Sequence, residues 1–330
     1  VPKHFEEALD YLSDILTNSL FDQKELNQEK NVIIQEINMY EDLPMESVSW
    51  RFESAMFGKN ALGRDVIGTK KSVSSIDRKE LVEYRDKHYT TKNTIIALAG
   101  NFGQHSEEKI TSLIEKSFRF ESIEREKTTK ISLNNQKAQS IFEKKTEQSH
   151  VIIGFRTAPI SSEEYKLDLL AMILGGSMSS RMFEEIREKR GLAYAVSTSS
   201  NNYLESGLLQ TQAGVPHEKI YETIEAILSE YQKIKKKGIT GEELNKAKEI
   251  ITGKTLIKFE DCEDLALHYA TDELLLGENI TPKELLLRYQ KVTKSDIIET
   301  AQKYFTEDKI GLSYVGPKIS RGKLENIFKF

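Results

Sequence analysis

The chain has 330 residues, 38% of them hydrophobic and 30% charged, with 6 Pro and 18 Gly; this excludes disordered and collagen-like classes and leaves room for two domains. Lys and Arg number 47 against 52 Asp and Glu, a net charge of −5, so no overall electrostatic drive toward nucleic acid or an anionic membrane exists. The single cysteine, Cys262, allows neither an internal disulfide nor a thiolate zinc cluster and fits a reducing, cytoplasmic setting, and no apolar run approaches the roughly 18 residues of a membrane span.

Residues 3–18 place Phe5, Leu9, Leu12, Ile15 and Leu16 at helical spacing. A second helix is predicted after Asp22, an N-cap type with Glu25 three residues on, running through Leu26, Val32, Ile33, Ile34 and Ile37 to a stop at Pro44. From Asp77 an amphipathic segment leads into TIIALAG (94–100), an apolar run of strand length, and another helix is predicted near 105–118. The stretch 119–137 is polar and without sustained periodicity, an interdomain linker. Beyond it come a strand at 150–156, a helix at 163–174, the segment GGSMSSRMFEEIREKRGLAYAVSTSS, a strand at 207–213, several helices over 217–305, and a last strand ending at Gly316.

An internal repeat sets the architecture. Val1-Pro2 before a helix matches Val215-Pro216, Glu25-Leu26-Asn27 matches Glu243-Leu244-Asn245, and HYTTKNTIIALAG from His88 matches YFTEDKIGLSYVG from Tyr304, at offsets of 214, 218 and 216. Two related α+β domains are predicted. Because 138–214 has no counterpart before Val1, the first copy is expected to lack roughly its first 75 to 80 residues, strands included.

Glu29 and Glu36 lie two turns apart on the second helix, close to one face. On spacing alone two solvated glutamates are the ordinary reading; a metal-binding carboxylate with an outer-shell acid is the functional one. The second copy has Ala247 and Lys254 in their places, the asymmetry expected of an acid pair confined to one active half. No H-E-x-x-H or H-x-x-E-H is present among the six histidines, so no metal site is complete in local sequence. Asp264 and His268 read as an i,i+4 ion pair, ITGKT (251–255) as a fragment of helix rather than a phosphate loop, and KIKKK (233–237) as a basic helix C-terminus. Arg187 and Tyr194 flank a turn at Gly191, where they suit hydrogen bonding to a peptide carbonyl or carboxylate, although on spacing alone a surface ion pair plus a half-buried strand Tyr is the ordinary reading.

The strings E29-K-N-V-I-I-Q-E36-I-N-M-Y-E-D-L-P, A61-L-G-R-D-V-I-G-T, Y89-T-T-K-N-T-I-I-A-L-A-G-N and L174-G-G-S-M-S-S-R-M-F-E-E-I-R187-E-K-R-G-L-A-Y194 resemble the pitrilysin/insulinase family of zinc metallopeptidases, in its short bacterial and mitochondrial processing peptidase branch. The resemblance runs along essentially the whole chain. It implies an α+β fold of two homologous α/β domains, each a mostly antiparallel sheet flanked by helices, the first incomplete at its N-terminus. The first, metal-site domain would then contribute 1–118, the linker 119–137, and the second, substrate-positioning domain 138–330. It further implies a Zn2+ endopeptidase acting on extended peptides in a chamber between domains, with Glu36 as third zinc ligand, Glu29 as its supporting acid, and Arg187 and Tyr194 holding the substrate backbone. The family's H-x-x-E-H segment would lie upstream. A homodimer or a heterodimer with a related chain is implied, and a non-catalytic partner or structural subunit is the alternative.

Overall fold

Several helices begin where the sequence supplies capping groups. In the computed structural model, which describes residues 2–123, 131, 133, 136–161 and 163–330, α1 spans Phe5–Thr17 and α2 Gln23–Asp42. The Asp22 carboxylate accepts from the backbone N–H groups of Lys24 (2.9 Å) and Glu25 (3.2 Å), donors that the first helical turn otherwise leaves unpaired. α2 stops at Asp42, and α3 (Pro44–Phe57) opens on Pro44, whose missing N–H costs nothing in a first turn. α4 (Lys70–Ser75) and α5 (Arg78–His88) carry full capping boxes, Thr69 with Ser72 and Asp77 with Glu80; α6 (Glu107–Ser117) is capped by Ser106.

The chain divides into two compact units. One comes from described residues within Val1–Gln35, Thr69–Thr129 and Leu256–Thr281, the other from Glu36–Gly68, Lys130–Thr255 and Pro282–Phe330. In the first, Phe5 of α1 meets Phe102 edge-on at 5.7 Å. Arg78 donates to the carbonyls of Leu20 and Phe21, and Arg85 to that of Ser19. These bonds hold a turn in which Phe21 takes a positive φ of 48°. α10 (Cys262–Leu276) completes this unit.

The strand predicted at 94–100 is not formed. Thr90 makes an isolated parallel bridge with Glu121, and Ile95 and Leu98 are each 39% exposed. A strand is held by ladder hydrogen bonds to a neighbour, and among its described residues this unit contains no other strand. The matching run in the second copy has neighbours on both sides and becomes a central strand.

The second unit is built on a five-stranded sheet: β1 (Ala138–Glu143), β2 (Ser149–Thr157), β3 (Ala195–Asn202), β4 (Gly207–Val215) and β5 (Ile310–Gly316), in the order β1-β5-β2-β4-β3. Neighbours are antiparallel except the parallel pair β1–β5. The architecture is mixed α+β, as predicted, with α3, β1 and the last helix, α13 (Arg321–Ile327), added to the expected elements of this unit. The predicted linker falls largely outside the described residues, at 124–130, 132, 134 and 135.

Side chains alternate across a strand. Val151, Ile153 and Phe155 of β2 enter the larger core with α7 (Glu164–Gly175), α8 (Ile220–Lys237) and α12 (Lys294–Tyr304). On the opposite face Ile152, Leu208 and Val315 pack against Val48, Phe52, Met56 and Phe57 of α3. Gly311 permits that approach, since a Cβ there would lie 2.1 Å from Met56 Sδ. Buried Arg156 donates to the carbonyls of Met56 (2.8 Å), Gln136 (2.6 Å) and Asp308 (3.0 Å), tying the C-terminus of α3 to the sheet. α9 (Gly241–Lys258) and α11 (Pro282–Lys291) fill the remaining helical sequence. Among the described residues no helix is long and apolar enough to cross a membrane.

Candidate functional site

Glu29 and Glu36 are both exposed on α2, separated by about 10 Å along the axis on nearly one face. Their counterparts on α9 have other work: Ala247 is 3% exposed, and Lys254 Nζ donates to the Gly176 carbonyl at 3.3 Å. Only α2 therefore presents the two acids. Glu36 alone does not make a metal centre. Among the described residues no group of three or more His, Cys, Asp and Glu side chains could hold an ion, and a zinc site needs at least three protein ligands in tetrahedral geometry.

Three of the six histidines, His4, His217 and His268, are engaged elsewhere. His4 lies 2.8 Å from Glu7, and His217 bridges Ser149 Oγ (3.0 Å) and the Thr146 carbonyl (3.1 Å). The Ser149–His217 pair is no nucleophilic dyad, because Ser149 is fully buried and its hydroxyl also contacts Tyr314 Oη at 3.1 Å. The expected pair of Asp264 with His268 is replaced by two others: Asp264 meets Lys258 at 3.6 Å, while His268 meets Asp272 at 3.6 Å and the Ile280 carbonyl at 2.7 Å. ITGKT lies inside α9 and the basic run ends α8 before Gly238 at φ 72°, both as predicted.

Arg187 and Tyr194 come together. The helix that carries Arg187 is wound as a π-helix over Phe183–Lys189, a rare form that recurs at functional sites and that the sequence pattern did not signal. Met182 and Ile186 are buried beneath it, and Arg187 faces out. Gly191, at φ 57°, supplies the left-handed turn that reverses the chain, and Leu192 N–H closes the loop onto the Ile186 carbonyl at 2.8 Å. Tyr194 then stands immediately before β3, its N–H on the Gly214 carbonyl (3.3 Å), with 76% of the residue exposed.

The Arg187 guanidinium lies over the Phe183 ring (4.8 Å) and the Tyr194 ring (5.6 Å). Stacking of this kind fixes the plane of the guanidinium while its N–H edge stays available. Beside it the Tyr194 hydroxyl supplies a neutral donor. Two donors of different charge on one exposed corner suit a single carbonyl or carboxylate oxygen. Gly175 sets the approach of α7 behind this corner, since a Cβ on it would lie 2.2 Å from Thr198 Oγ1 and 2.6 Å from the Thr198 nitrogen of β3.

Residues 75–251 match the family model described as the peptidase M16 inactive domain, and residues 1–70 match that described as insulinase, peptidase family M16. A protein of Bacillus subtilis (strain 168), named an uncharacterized zinc protease, is 33% identical over 329 residues, which covers 96% of this chain and 76% of that protein. A solved peptidase M16 inactive domain from Pseudomonas fluorescens shares the fold with a TM-score of 0.86 at 19% identity, covering 96% of this chain and 76% of that one. A chain in a structure of complex III2 from Candida albicans does so with a TM-score of 0.86 at 17% identity, covering 99% and 81%.

Proposed function

This chain belongs to the insulinase family of peptidases, family M16, and on that premise we propose that it is part of a zinc-dependent endopeptidase that cleaves extended peptides in a chamber between two domains. The metal-site domain would draw on 1–118 and the substrate-positioning domain on 138–330. The observation that carries the reading is the asymmetry of the repeat. α2 presents Glu29 and Glu36 to solvent, whereas the same positions of α9 hold a buried alanine and a lysine bonded to the Gly176 carbonyl.

In this reading Glu36 is one zinc ligand, Glu29 supports it, and two imidazoles and a catalytic glutamate come from an H-x-x-E-H segment outside residues 1–330. One carboxylate does not hold zinc, so no step of the reaction is assigned to a metal on these residues alone. What the chain itself does is hold substrate. Arg187 and Tyr194 donate to a backbone carbonyl of an extended peptide, and the stacked guanidinium loses little further freedom on binding, which lowers the cost of orienting the scissile bond. Pairing with a second chain, identical or related, and a cytoplasmic location complete the proposal.

The test is metal content. Residues 1–330 alone should carry no stoichiometric zinc and hydrolyse no peptide, and in the protein at its natural length Glu36→Gln should lose zinc, because a neutral amide is a much weaker ligand than a carboxylate. Full zinc in Glu36→Gln would remove Glu36 from the site. A second reading, a non-catalytic subunit, is favoured by the fold shared with a chain of complex III2; an absence of turnover at natural length, with zinc-free protein, would select it.

A further inference from the structure

In the repeat, α9 stands where α2 stands in the first copy, and its outward stripe is not idle. Arg181 makes a two-pronged ion pair with Glu243, Nε to Oε1 at 2.5 Å and Nη2 to Oε2 at 2.9 Å, and Nη2 also reaches the Gly238 carbonyl at 3.1 Å. Glu243 in addition accepts from Thr240 N–H (2.7 Å), while its own N–H donates to Thr240 Oγ1 (3.1 Å). One carboxylate thus closes the capping box of α9 and grips Arg181. Burial pushes the Glu243 carboxyl up, but the bonds from Arg181 and Thr240 outweigh it and hold the group below the usual carboxylate range.

Eleven residues further along α9, Lys254 holds the Gly176 carbonyl. Eleven residues make about three turns, so Glu243 and Lys254 share one side of the helix. Ala247 and Ile250, between them on the same stripe, line a cavity of about 490 Å³ together with Ser177 and Arg181. The segment from Gly176 to Arg181 is therefore fastened to α9 at both ends, and Ser180 Oγ closes it internally on the Ser177 carbonyl at 2.5 Å.

Arg181 lies two residues before the π-helical winding that carries Arg187. Such winding is rare and is kept only where surrounding contacts determine it. Were it to relax to ordinary α geometry, each residue of register lost would turn the following side chains by about 100° around the axis. Arg187 would then leave the Phe183 and Tyr194 rings.

Resting on the proposed role of Arg187 and Tyr194 in holding substrate, we infer that the Arg181–Glu243 clamp is a positioning device that fixes the winding of 183–189 and so aims Arg187 beside Tyr194. The two residues touch no substrate. They act through the segment that does.

The test reads Arg187 directly. Near two rings, the Arg187 Nε–H resonance of residues 1–330 should be displaced by ring currents, and it is assigned by its disappearance in Arg187→Lys. Arg181→Met removes the donors; Glu243→Gln keeps the capping box, since glutamine serves at that position, but loses the charge. In both variants the Arg187 resonance should move toward the value of a freely solvated arginine, with a smaller move in Arg181→Lys. An unmoved resonance in folded Arg181→Met and Glu243→Gln overturns the inference. At natural length the same variants should raise KM for an internally quenched peptide roughly 5 to 30-fold with kcat and zinc little changed, and the double variant should be no worse than the worse single, as coupled residues behave. If Arg187→Ala itself leaves KM unchanged, the substrate reading fails instead, which separates the two.

Discussion

Replacing Arg156 by methionine should destabilise the second unit without dismantling it. Arg156 is 5% exposed and its guanidinium bonds three carbonyls, of which the bond to Met56, in the last turn of α3, is buried and the other two are part-buried. Methionine keeps the apolar stem but leaves these acceptors without donors. A buried carbonyl left unpaired costs about 1–3 kcal/mol and each of the two part-buried ones about 0.5–1.5 kcal/mol. Offsetting this, the mutant no longer desolvates a cation, a saving of several kcal/mol in buried ion sites. The two contributions partly cancel, leaving a net expected loss of about 1–3 kcal/mol, or roughly 2–12 °C in Tm for a unit of this size. α3 should stay docked, because Gln212 still donates to the Met45 carbonyl (3.0 Å) and Tyr203 to Glu53 (3.0 Å). Thermal unfolding followed by circular dichroism measures the shift. A fall of less than about 1 °C would mean that desolvation cancels the three bonds and that apolar packing alone holds α3.

At natural length, Arg187→Ala and Tyr194→Phe should each lower kcat/KM by roughly 5 to 150-fold, the equivalent of one lost hydrogen bond of about 1–3 kcal/mol, with zinc content and Tm unchanged; unchanged kinetics in both would reduce the pair to a surface contact. Glu29→Gln should lower activity with a smaller loss of zinc than Glu36→Gln, in the roughly 10 to 100-fold range of outer-shell effects, and equal zinc loss in the two would contradict the division of roles. Burial raises the Asp168 carboxyl to about 6 despite the hydrogen bond from Tyr289. The folded state therefore binds the proton more tightly than the unfolded chain, and stability should fall as pH rises from about 4 to 6. Asp168→Asn should flatten that slope in urea unfolding series, and an unaltered slope would exclude Asp168 as its source.

Most local structure was legible in the sequence because it is set by local chemistry. Asp22, Asp77 and Ser106 announce their helices through side-chain oxygens that reach N–H groups two or three residues away, and Pro44 separates α2 from α3 through its own ring. Two related halves are what the repeat itself suggests, since order as well as residue type recurs in it. Glu29, Glu36, Arg187 and Tyr194 were legible as candidates through spacing and resemblance, yet spacing alone did not distinguish them from solvated side chains.

The tertiary structure decided what depends on neighbours distant in sequence. TIIALAG and KIGLSYVG look alike, but only the second is a strand, because β1 and β2 supply its ladder and a strand's hydrogen bonds are by nature made to another segment. The π-helical winding that carries Arg187 has no periodicity signal of its own; Met182 and Ile186 are buried below it, Leu192 closes onto Ile186, and Arg181 just before it pairs with Glu243, 62 residues on in sequence. Arg156 reads from sequence as an ordinary strand residue near a chain turn. Only the packed sheet shows that its charge is held by three carbonyls drawn from three separate stretches of chain, since satisfying a buried cation requires acceptors that no short segment can supply from within itself.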